Sequence, residues 1–151
     1  VEDINLQKLV MKTSFFNAIP DSFKLVTNAC DRVINSPRIP LELTLRNIIG
    51  NAVKHHNKDH GVISVTYAFK QNYHIMQVTD DGPGIDPNLQ EKAIQMFQTL
   101  KSRDELEGSG LGLSIVKKAI ERLDGSMKIV SDGTHGTTIE LSWPATTKAQ
   151  E

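Results

Sequence analysis

The sequence contains a single cysteine, no long apolar run and no excess of charge of either sign. Cys30 alone cannot form a disulfide within the chain, so we expect a reducing, cytoplasmic setting. No stretch approaches the roughly 20 apolar residues that a membrane-spanning helix needs. The 17 basic residues nearly balance the 18 acidic ones, which argues against attraction to nucleic acid or to an anionic membrane. We therefore expect neither of these as a direct partner.

At 151 residues the chain has the length of one ordinary domain and is short for two. We expect a single domain over residues 1–151, with its core between about 20 and 144, a helix in 1–19 and a tail in 145–151. Val1 stands where an initiating methionine is usual, so we expect an excised or processed piece of a longer protein. If that parent is anchored in a membrane, its spanning part lies outside this piece.

The first half of the sequence predicts alternating helices and strands. Apolar residues recur at helical spacing in the first 16 residues, and the pattern stops before Pro20. Pro40 occupies a position suited to the first turn of a helix. Alternating side chains predict two strands on either side of a turn at Gln71 and Asn72. The predicted elements are a helix over 6–16, a strand over 23–26, a helix from 41 to about 56, and strands over 61–69 and 73–79.

The second half predicts two further helices and a hairpin. A short helix is expected over 89–97, followed by a polar segment over 101–108 that we interpret as a loop. A helix over 111–123 is expected to end at Gly125, because glycine readily adopts the left-handed conformation that terminates many helices. Strands over 127–131 and 137–143 complete the predicted fold.

The helix predicted from residue 41 has one apolar and one polar face. At about 100° per residue, Asn47, Asn51, Lys54 and His55 lie opposite an apolar arc. Such a helix can simply expose its polar face to water. However, asparagine is a mediocre helix former, so two of them four positions apart indicate a need for neutral amides on this face. The apolar arc consists of Leu41, Leu45, Ile48, Ile49, Ala52 and Val53.

Asp80, Gly82 and Gly84 directly follow the second predicted strand of the first hairpin. A carboxylate at the end of a strand can accept a hydrogen bond from the exocyclic amine of adenine, whereas guanine presents a carbonyl oxygen at that position. The two glycines permit a ring to lie close to the main chain. An Asp-Gly turn without any ligand has the same composition, so this segment alone does not decide between the two interpretations.

A second glycine-rich segment, Gly108-Ser109-Gly110-Leu111-Gly112-Leu113, leads directly into the next predicted helix. Exposed backbone amides and the positive end of the helix dipole make such a junction suitable for a phosphate group. The glycine spacing differs from that of the P-loop and from that of the dinucleotide-binding GxGxxG sequence. A flexible linker before a helix is the alternative explanation.

Asn51, Asp80, Gly84, Gly110 and Gly112 stand in this order within the segments LRNIIGNAVKHH, DDGPGID and GSGLGLSIVKKAI. Together these segments resemble the ATP-binding catalytic domain of bacterial sensor histidine kinases, in the superfamily that includes DNA gyrase, Hsp90 and MutL. The resemblance extends from about residue 41 to residue 144. It implies an α/β fold of the Bergerat type, a two-layer sandwich whose mixed, mainly antiparallel sheet has helices on one face. It also implies ATP and Mg²⁺ as cofactors.

On the phosphate side, the resemblance implies that Asn51 binds Mg²⁺ and that Lys54 reaches toward a phosphate. Both roles suit the chemistry, because an amide oxygen is a hard ligand and a lysine supplies a point charge. The segment over 108–113 would hold phosphate groups. Lys101 and Arg103 are candidates for neutralising the γ-phosphate during transfer. The acidic neighbours of these two residues would equally suit a solvated loop that screens its own charges.

On the base side, the resemblance implies that Asp80 selects adenine and that Thr137 helps to hold its carboxylate. The segment that contains Thr137 also fits an ordinary hairpin turn. Asp81 stands where the family more often has asparagine, and Ile94 replaces one of two aromatic residues of the family's lid. The other residues expected to contact the nucleotide are His55, Gly82, Gly84, Ile85 and the lid residue Phe97.

Asn47 occupies the position at which ATP-hydrolysing relatives have a glutamate. An amide cannot act as a general base, so we expect bound ATP to be poorly hydrolysed and to remain available to another nucleophile. A neutral imidazole needs no such base, because its pKa is near 6.5 and its free nitrogen is nucleophilic at neutral pH. The expected catalytic residues are therefore Asn47, Lys54, Lys101 and Arg103.

None of the five histidines has the sequence context of the phosphate-accepting histidine, which the family carries on a separate dimerisation domain. His55 is expected to border the base, and the other four are interpreted as surface or loop residues. We therefore expect a monomeric catalytic domain without its dimerisation domain, which does not phosphorylate itself and acts upstream of a response regulator. The alternative is a degenerate module that binds nucleotide without kinase activity. Hydrolases of the gyrase type and serine kinases of the anti-sigma-factor kind would both require the missing glutamate.

Overall fold

A computed structural model describes residues 1–84, 111–131 and 134–145 of the protein, with the backbone alone for residues 111–114. Helices pack on one face of a five-stranded sheet. None of the helices in this part of the chain is long and apolar enough to cross a membrane. In chain order, the elements are β1 (Glu2–Asn5), α1 (Leu6–Phe16), β2 (Phe23–Asn28), β3 (Val33–Ser36), α2 (Arg38–Lys54), β4 (Gly61–Lys70), β5 (Tyr73–Asp80), α3 (Leu111–Glu121), β6 (Ser126–Val130) and β7 (Thr137–Pro144).

The strands of the main sheet have the order β2-β4-β5-β7-β6. β2 runs parallel to β4, with Phe23 opposite Gly61, and the other neighbouring pairs are antiparallel. β1 and β3 form a separate antiparallel ribbon. The structure thus confirms the prediction of a two-layer α/β fold with a mixed, mainly antiparallel sheet.

The two faces of the main sheet differ in polarity, because successive side chains of a strand point to opposite faces. Ile63, Val65 and Met76 are fully buried on the face that packs against the helices. On the other face, Nε2 of Gln77 donates a hydrogen bond of 2.9 Å to the carboxylate of Glu140. Such a division is typical of antiparallel sheets with one solvated face.

The N-terminal segment packs into the same core as the rest of the protein. Asn5 caps α1, since its side-chain oxygen accepts a hydrogen bond of 3.0 Å from the backbone N–H of Lys8. The sequence does not predict β1 or β3, because each has four residues and polar side chains obscure its alternation. Residues before and after position 20 share one hydrophobic core, because its buried cluster includes Ile4, Leu6, Leu9, Val10 and Ile34.

Helix boundaries and turns agree with most of the predictions. α2 begins at Arg38 rather than at residue 41, so Pro40 lies in its first turn as predicted. The turn between β4 and β5 is confirmed, with positive φ at both Gln71 and Asn72. The helix predicted over 89–97 and the loop predicted over 101–108 lie outside the described residues.

The prediction that Gly125 adopts the left-handed conformation at the end of α3 is wrong. Asp124 has that conformation, with a φ of 58°. The N–H of Asp124 donates to the carbonyl of Glu121, and the N–H of Gly125 donates to that of Ile120, which is the Schellman arrangement. A glycine is needed at position 125 for a different reason. A Cβ atom there would overlap the backbone oxygen of Ser142.

Candidate functional site

A cleft of about 410 Å³ opens along the polar face of α2. Asn47 and Asn51 are half-buried in it, and the exposed Lys54 lies at its side. These three predicted residues therefore share one cavity. Its other lining residues are Phe16, Asn17, Arg46, Gly50 and Val53. Phe16 and Asn17 come from the end of α1, and nothing in the sequence pattern connects that helix with the site.

The end of α1 is fixed against α2 beside this cleft. Nδ2 of Asn17 donates a hydrogen bond of 3.1 Å to the carbonyl oxygen of Arg46. The guanidinium carbon of Arg46 lies 4.4 Å from the centroid of the Phe16 ring, within the range of a cation–π contact. A Cβ atom on Gly50 would lie 3.2 Å from Oδ1 of Asn17, so the two helices are in close contact.

The amide of Asn47 is partly engaged by its own helix. Its Nδ2 donates a hydrogen bond of 2.7 Å to the carbonyl oxygen of Leu43, one turn earlier. Serving as a donor in this way leaves the amide oxygen as the acceptor that Asn47 can present to the cleft. An amide oxygen has no proton affinity near neutral pH, so this side chain supplies polarity to the cavity but no general base.

The carboxylate of Asp80 lies at the end of β5, across the ladder from Thr137 on β7. Its Oδ1 accepts a hydrogen bond of 2.8 Å from the backbone N–H of Gly82. Burial raises the pKa of Asp80 above its ordinary value, and this effect outweighs the opposing hydrogen bonds from the N–H groups of Gly82 and Thr137 and the attraction of His56. A carboxylate held in this way is a strong and directional acceptor.

The surroundings of Asp80 leave no room for extra side chains. Gly136 has a φ of 87°, and a Cβ atom on it would overlap the backbone oxygen of Asp80. Gly84 has a φ of 82°, which favours glycine. A Cβ atom on Gly82 would lie 2.9 Å from Oδ1 of Asp80. Thr137 is buried beside them, so the predicted residues of the base side form one compact wall.

The histidines differ in their surroundings, and one of them departs from the prediction. His55 is exposed after the end of α2, and its pKa is lowered, first by partial burial and then by Lys54. The interpretation of the other four as surface or loop residues is wrong for His74, which lies within β5 and is 5% exposed. His56 does lie in the loop after α2, but its side chain is only 1% exposed. His56 contacts Asp81, the residue after Asp80, and this contact connects the end of α2 with the wall at the end of β5.

The other predicted site residues belong to the start of α3 or to segments outside the described residues. Leu111, Gly112 and Leu113 form the first turn of α3, of which the backbone alone is described. The remaining predicted residues lie outside the described residues, and they are Ile85, Phe97, Lys101, Arg103, Gly108, Ser109 and Gly110.

Comparison with known proteins assigns the chain to a family. The family described as histidine kinase-, DNA gyrase B- and HSP90-like ATPases matches residues 36–147, well over half of the sequence. The chain belongs to this family. The match starts at the end of β3 and includes both α2 and the residues around Asp80. The protein is thus a histidine kinase-like domain, which its three sequence segments indicate only in combination.

Relatives of this histidine kinase-like domain are much longer proteins. The phytochrome-like protein Cph1 of Synechocystis sp. is 32% identical over 111 residues, which make up 74% of this chain and 15% of the relative. The sensor histidine kinase CpxA of Escherichia coli is 39% identical over 106 residues, or 69% of this chain and 22% of the relative. The chain therefore spans less than a quarter of the length of either relative.

Solved structures of histidine kinases share the fold over nearly the whole chain. The catalytic domain of histidine kinase ThkA superposes with a TM-score of 0.75 at 26% identity, covering 97% of this chain and 98% of that one. The mycobacterial sensor histidine kinase MprB gives a TM-score of 0.76 at 21% identity, covering 95% of this chain and 97% of that chain. The histidine kinase-like domain thus has the architecture of a kinase catalytic domain.

Proposed function

We propose that this domain binds Mg-ATP and transfers the γ-phosphoryl group to a histidine on a separate dimerisation domain, in two-component signal transduction. The observation that carries the proposal is the half-buried carboxylate of Asp80, which is enclosed by glycines at a strand end and connected through His56 to the helix with the cleft. A structural turn requires no charge at this position, whereas adenine recognition does.

Adenine would be selected by Asp80. Its carboxylate can accept a hydrogen bond from the exocyclic amine of adenine, and it would repel the carbonyl oxygen that guanine presents there. The absence of side chains on Gly82 and Gly84 would allow the base to lie against the main chain. Thr137 supports the proposal, because its backbone N–H interacts with the same carboxylate.

The phosphates would lie along the cleft of α2. The amide oxygen of Asn51 suits Mg²⁺, which would neutralise phosphate charge when bound. Lys54 would supply a further positive charge from the same face of the helix. We extend the proposal to the backbone of Gly110 and Gly112 as a phosphate cradle and to Lys101 and Arg103 as charges for the transferred group.

Asn47 supports transfer to an imidazole rather than to water. Without a general base at this position, water would not be activated and bound ATP would persist. The free nitrogen of a neutral histidine would form the N–P bond while the bond between the γ-phosphorus and the bridging oxygen breaks, releasing ADP and the imidazole proton. We further propose that the acceptor is carried by a dimerisation domain of the parent protein, that a response regulator receives the phosphoryl group, and that the isolated domain is a cytoplasmic monomer.

The proposal is tested by calorimetric titration of the protein with ADP in the presence of Mg²⁺, beside GDP and beside an Asp80→Asn variant. Adenine-selective binding that is lost in the variant would support it. A folded sample that binds neither nucleotide would contradict it. Addition of [γ-³²P]ATP with a matching dimerisation domain should then label that domain and leave this chain unlabelled. Nucleotide binding without any labelled acceptor would instead indicate the degenerate module.

A further inference from the structure

We propose that His56 is a positioning residue for nucleotide recognition, which holds the turn after Asp80 by donating a hydrogen bond to Asp81. This inference rests on the proposed function and assigns a role to two residues that lie beside the predicted contacts. Three separate segments meet at this point. They are the loop after α2, the first residues of β4, and the turn that follows β5.

The tautomer of His56 follows from its two hydrogen bonds. The backbone N–H of Lys58 donates to Nδ1 of the imidazole at 3.0 Å, so Nδ1 must present a lone pair. In a neutral ring the proton then resides on Nε2, which lies 2.8 Å from Oδ1 of Asp81. The side chain of His56 is 1% exposed, and Phe23 packs against it edge to face with 5.3 Å between ring centroids. The ring is therefore fixed as a donor toward Asp81.

Asp81 receives two hydrogen bonds on the same oxygen. Besides Nε2 of His56, the backbone N–H of Val62 donates to Oδ1 at 2.9 Å. These two interactions, the one with Val62 first, hold the pKa of Asp81 below its ordinary value. The carboxylate is 55% exposed, yet its oxygen is held by donors from two other segments. Asp81, which directly follows Asp80, thus connects the turn after β5 to the start of β4.

The packing around this contact is close enough to restrict the turn. A Cβ atom on Gly61 would lie 2.6 Å from Nε2 of His56 and 2.7 Å from Oδ1 of Asp81. A Cβ atom on Gly82 would lie 3.4 Å from Cδ2 of His56. The imidazole is therefore enclosed between the start of β4 and the turn after β5. Because the N–H of Gly82 is a donor to Asp80, any shift of this turn changes the direction in which the Asp80 carboxylate points.

The test measures ADP affinity with Mg²⁺, the ratio of ADP to GDP affinity, and hydrogen exchange of the Gly82 amide without nucleotide, all on the whole chain. We expect His56→Ala and Asp81→Ala to weaken ADP binding about tenfold and to accelerate Gly82 exchange. The double variant should be no weaker than either single variant, because both remove one interaction. The ratio of ADP affinity to GDP affinity should fall, whereas partial unfolding alone would weaken the binding of both nucleotides equally.

Conservative variants distinguish hydrogen bonding from mere volume. Asp81→Asn keeps an oxygen that accepts from both donors, and His56→Gln keeps an N–H that can reach Asp81, so both should bind ADP within about threefold of the original chain. Gly61→Ala should weaken binding like Asp81→Ala, since its methyl group displaces the contact without altering either partner. A second histidine–aspartate contact, between Nδ1 of His60 and Oδ1 of Asp59 at 3.0 Å, is exposed and provides the matched control. Asp59→Ala and His60→Ala should change neither the ADP affinity nor the hydrogen exchange of the Gly82 amide.

Failure of this inference differs from failure of the proposed function. If the original chain binds no ADP, the proposed function fails, while exchange at Gly82 still decides whether His56 holds the turn. If the original chain binds ADP and His56→Ala binds it equally well with unchanged Gly82 exchange, the positioning role is overturned. Equal losses in the Asp59 and His60 controls would overturn it as well, because they would show a general response to removing surface charge.

Discussion

The hydroxyl oxygen of Tyr67 lies 2.7 Å from Nδ1 of His74 in the interior of the protein, between β4 and β5. The imidazole is also in contact with the rings of Phe69 and Trp143. Among the described residues, Nε2 of His74 and Nε1 of Trp143 have no hydrogen-bond partner. A charged imidazolium in this place would add a second donor without an acceptor, so burial first, and then the charge of Arg32, lowers the pKa of His74.

This arrangement predicts loss of stability in mild acid. The unfolded chain binds a proton at His74 near pH 6.5, whereas the folded protein resists it, so the stabilisation is complete above about 6.5 and is lost as the pH falls below that value. His55 contributes in the same direction. Urea unfolding between pH 7.5 and 5 should show a slope of up to about 1.4 kcal/mol per pH unit from His74, whereas the exposed His55 adds less because solvent screens it. His74→Phe should flatten this slope and His60→Gln should not. An unchanged slope in His74→Phe would contradict the assignment.

Asp80→Asn should separate stability from recognition. A carboxylate whose folded pKa is raised stabilises the protein below its unfolded pKa of 3.8, and this contribution is lost as the pH rises through the folded value. At pH 7 the charge therefore costs stability, so the variant should unfold at the same or a higher temperature. The N–H of Gly82 would donate to the amide oxygen of the variant, so its NH₂ group would face adenine. Both this NH₂ group and the exocyclic amine of adenine are donors, and they would not form a hydrogen bond. We expect ADP affinity to fall about 10- to 100-fold. An unstable variant with unchanged ADP affinity would refute both parts.

Asn51 should account for the dependence of nucleotide binding on magnesium. Because Asn51 lines the cleft and offers a hard amide oxygen, removing it should have the same effect as removing the metal. ADP affinity of the original chain should fall about tenfold in EDTA, while Asn51→Ala should show this lower affinity with or without Mg²⁺. Asn57→Ala, at an exposed position after α2, is the control that should keep the full magnesium response. Equal responses in both variants would place the metal elsewhere.

The end of α3 should respond in opposite directions to two neighbouring substitutions. Asp124→Gly relieves a left-handed backbone and should leave stability unchanged or raise it by up to about 1 kcal/mol. Gly125→Ala forces a methyl group onto the backbone oxygen of Ser142, and Cβ of Trp143 would lie 2.8 Å away. The free energy of unfolding of this variant should be about 1–3 kcal/mol lower than that of the original chain. The free energies of unfolding, measured in urea, would disagree with the structure if the two signs were reversed.

The sequence predicts the elements whose periodicity is strong and misses what depends on distant contacts. α2 and the β4–β5 hairpin are long and regular, so their apolar and polar faces are evident without a structure. The grouping of Asn47, Asn51 and Lys54 on one helix face is predicted in the same way, because a single helix carries all three. In contrast, the contribution of Phe16 to the cleft depends on how α1 docks, and no local pattern encodes that contact.

The positions of Gly125 and His56 illustrate the same limit. Gly125 follows a helix, so local rules assign it the left-handed conformation, yet the residue is required because β7 passes too close for a side chain. His56 directly follows His55, and the sequence gives no sign that one ring is exposed and the other enclosed. The distinction arises from Asp81 and Phe23, which are close to His56 only in the folded chain.

We expect the parallel pairing of β2 with β4 to affect when the cleft forms during folding. Because the chain between these strands includes the whole of α2, the pairing closes a long loop, and loops of this kind close slowly compared with a local hairpin. We expect the β4–β5 hairpin to gain protection from hydrogen exchange first and α2 to gain it later. The helix that carries Asn51 would then reach its final position only near the end of folding, so that nucleotide could stabilise the nearly completed protein but could not act as a template for its assembly.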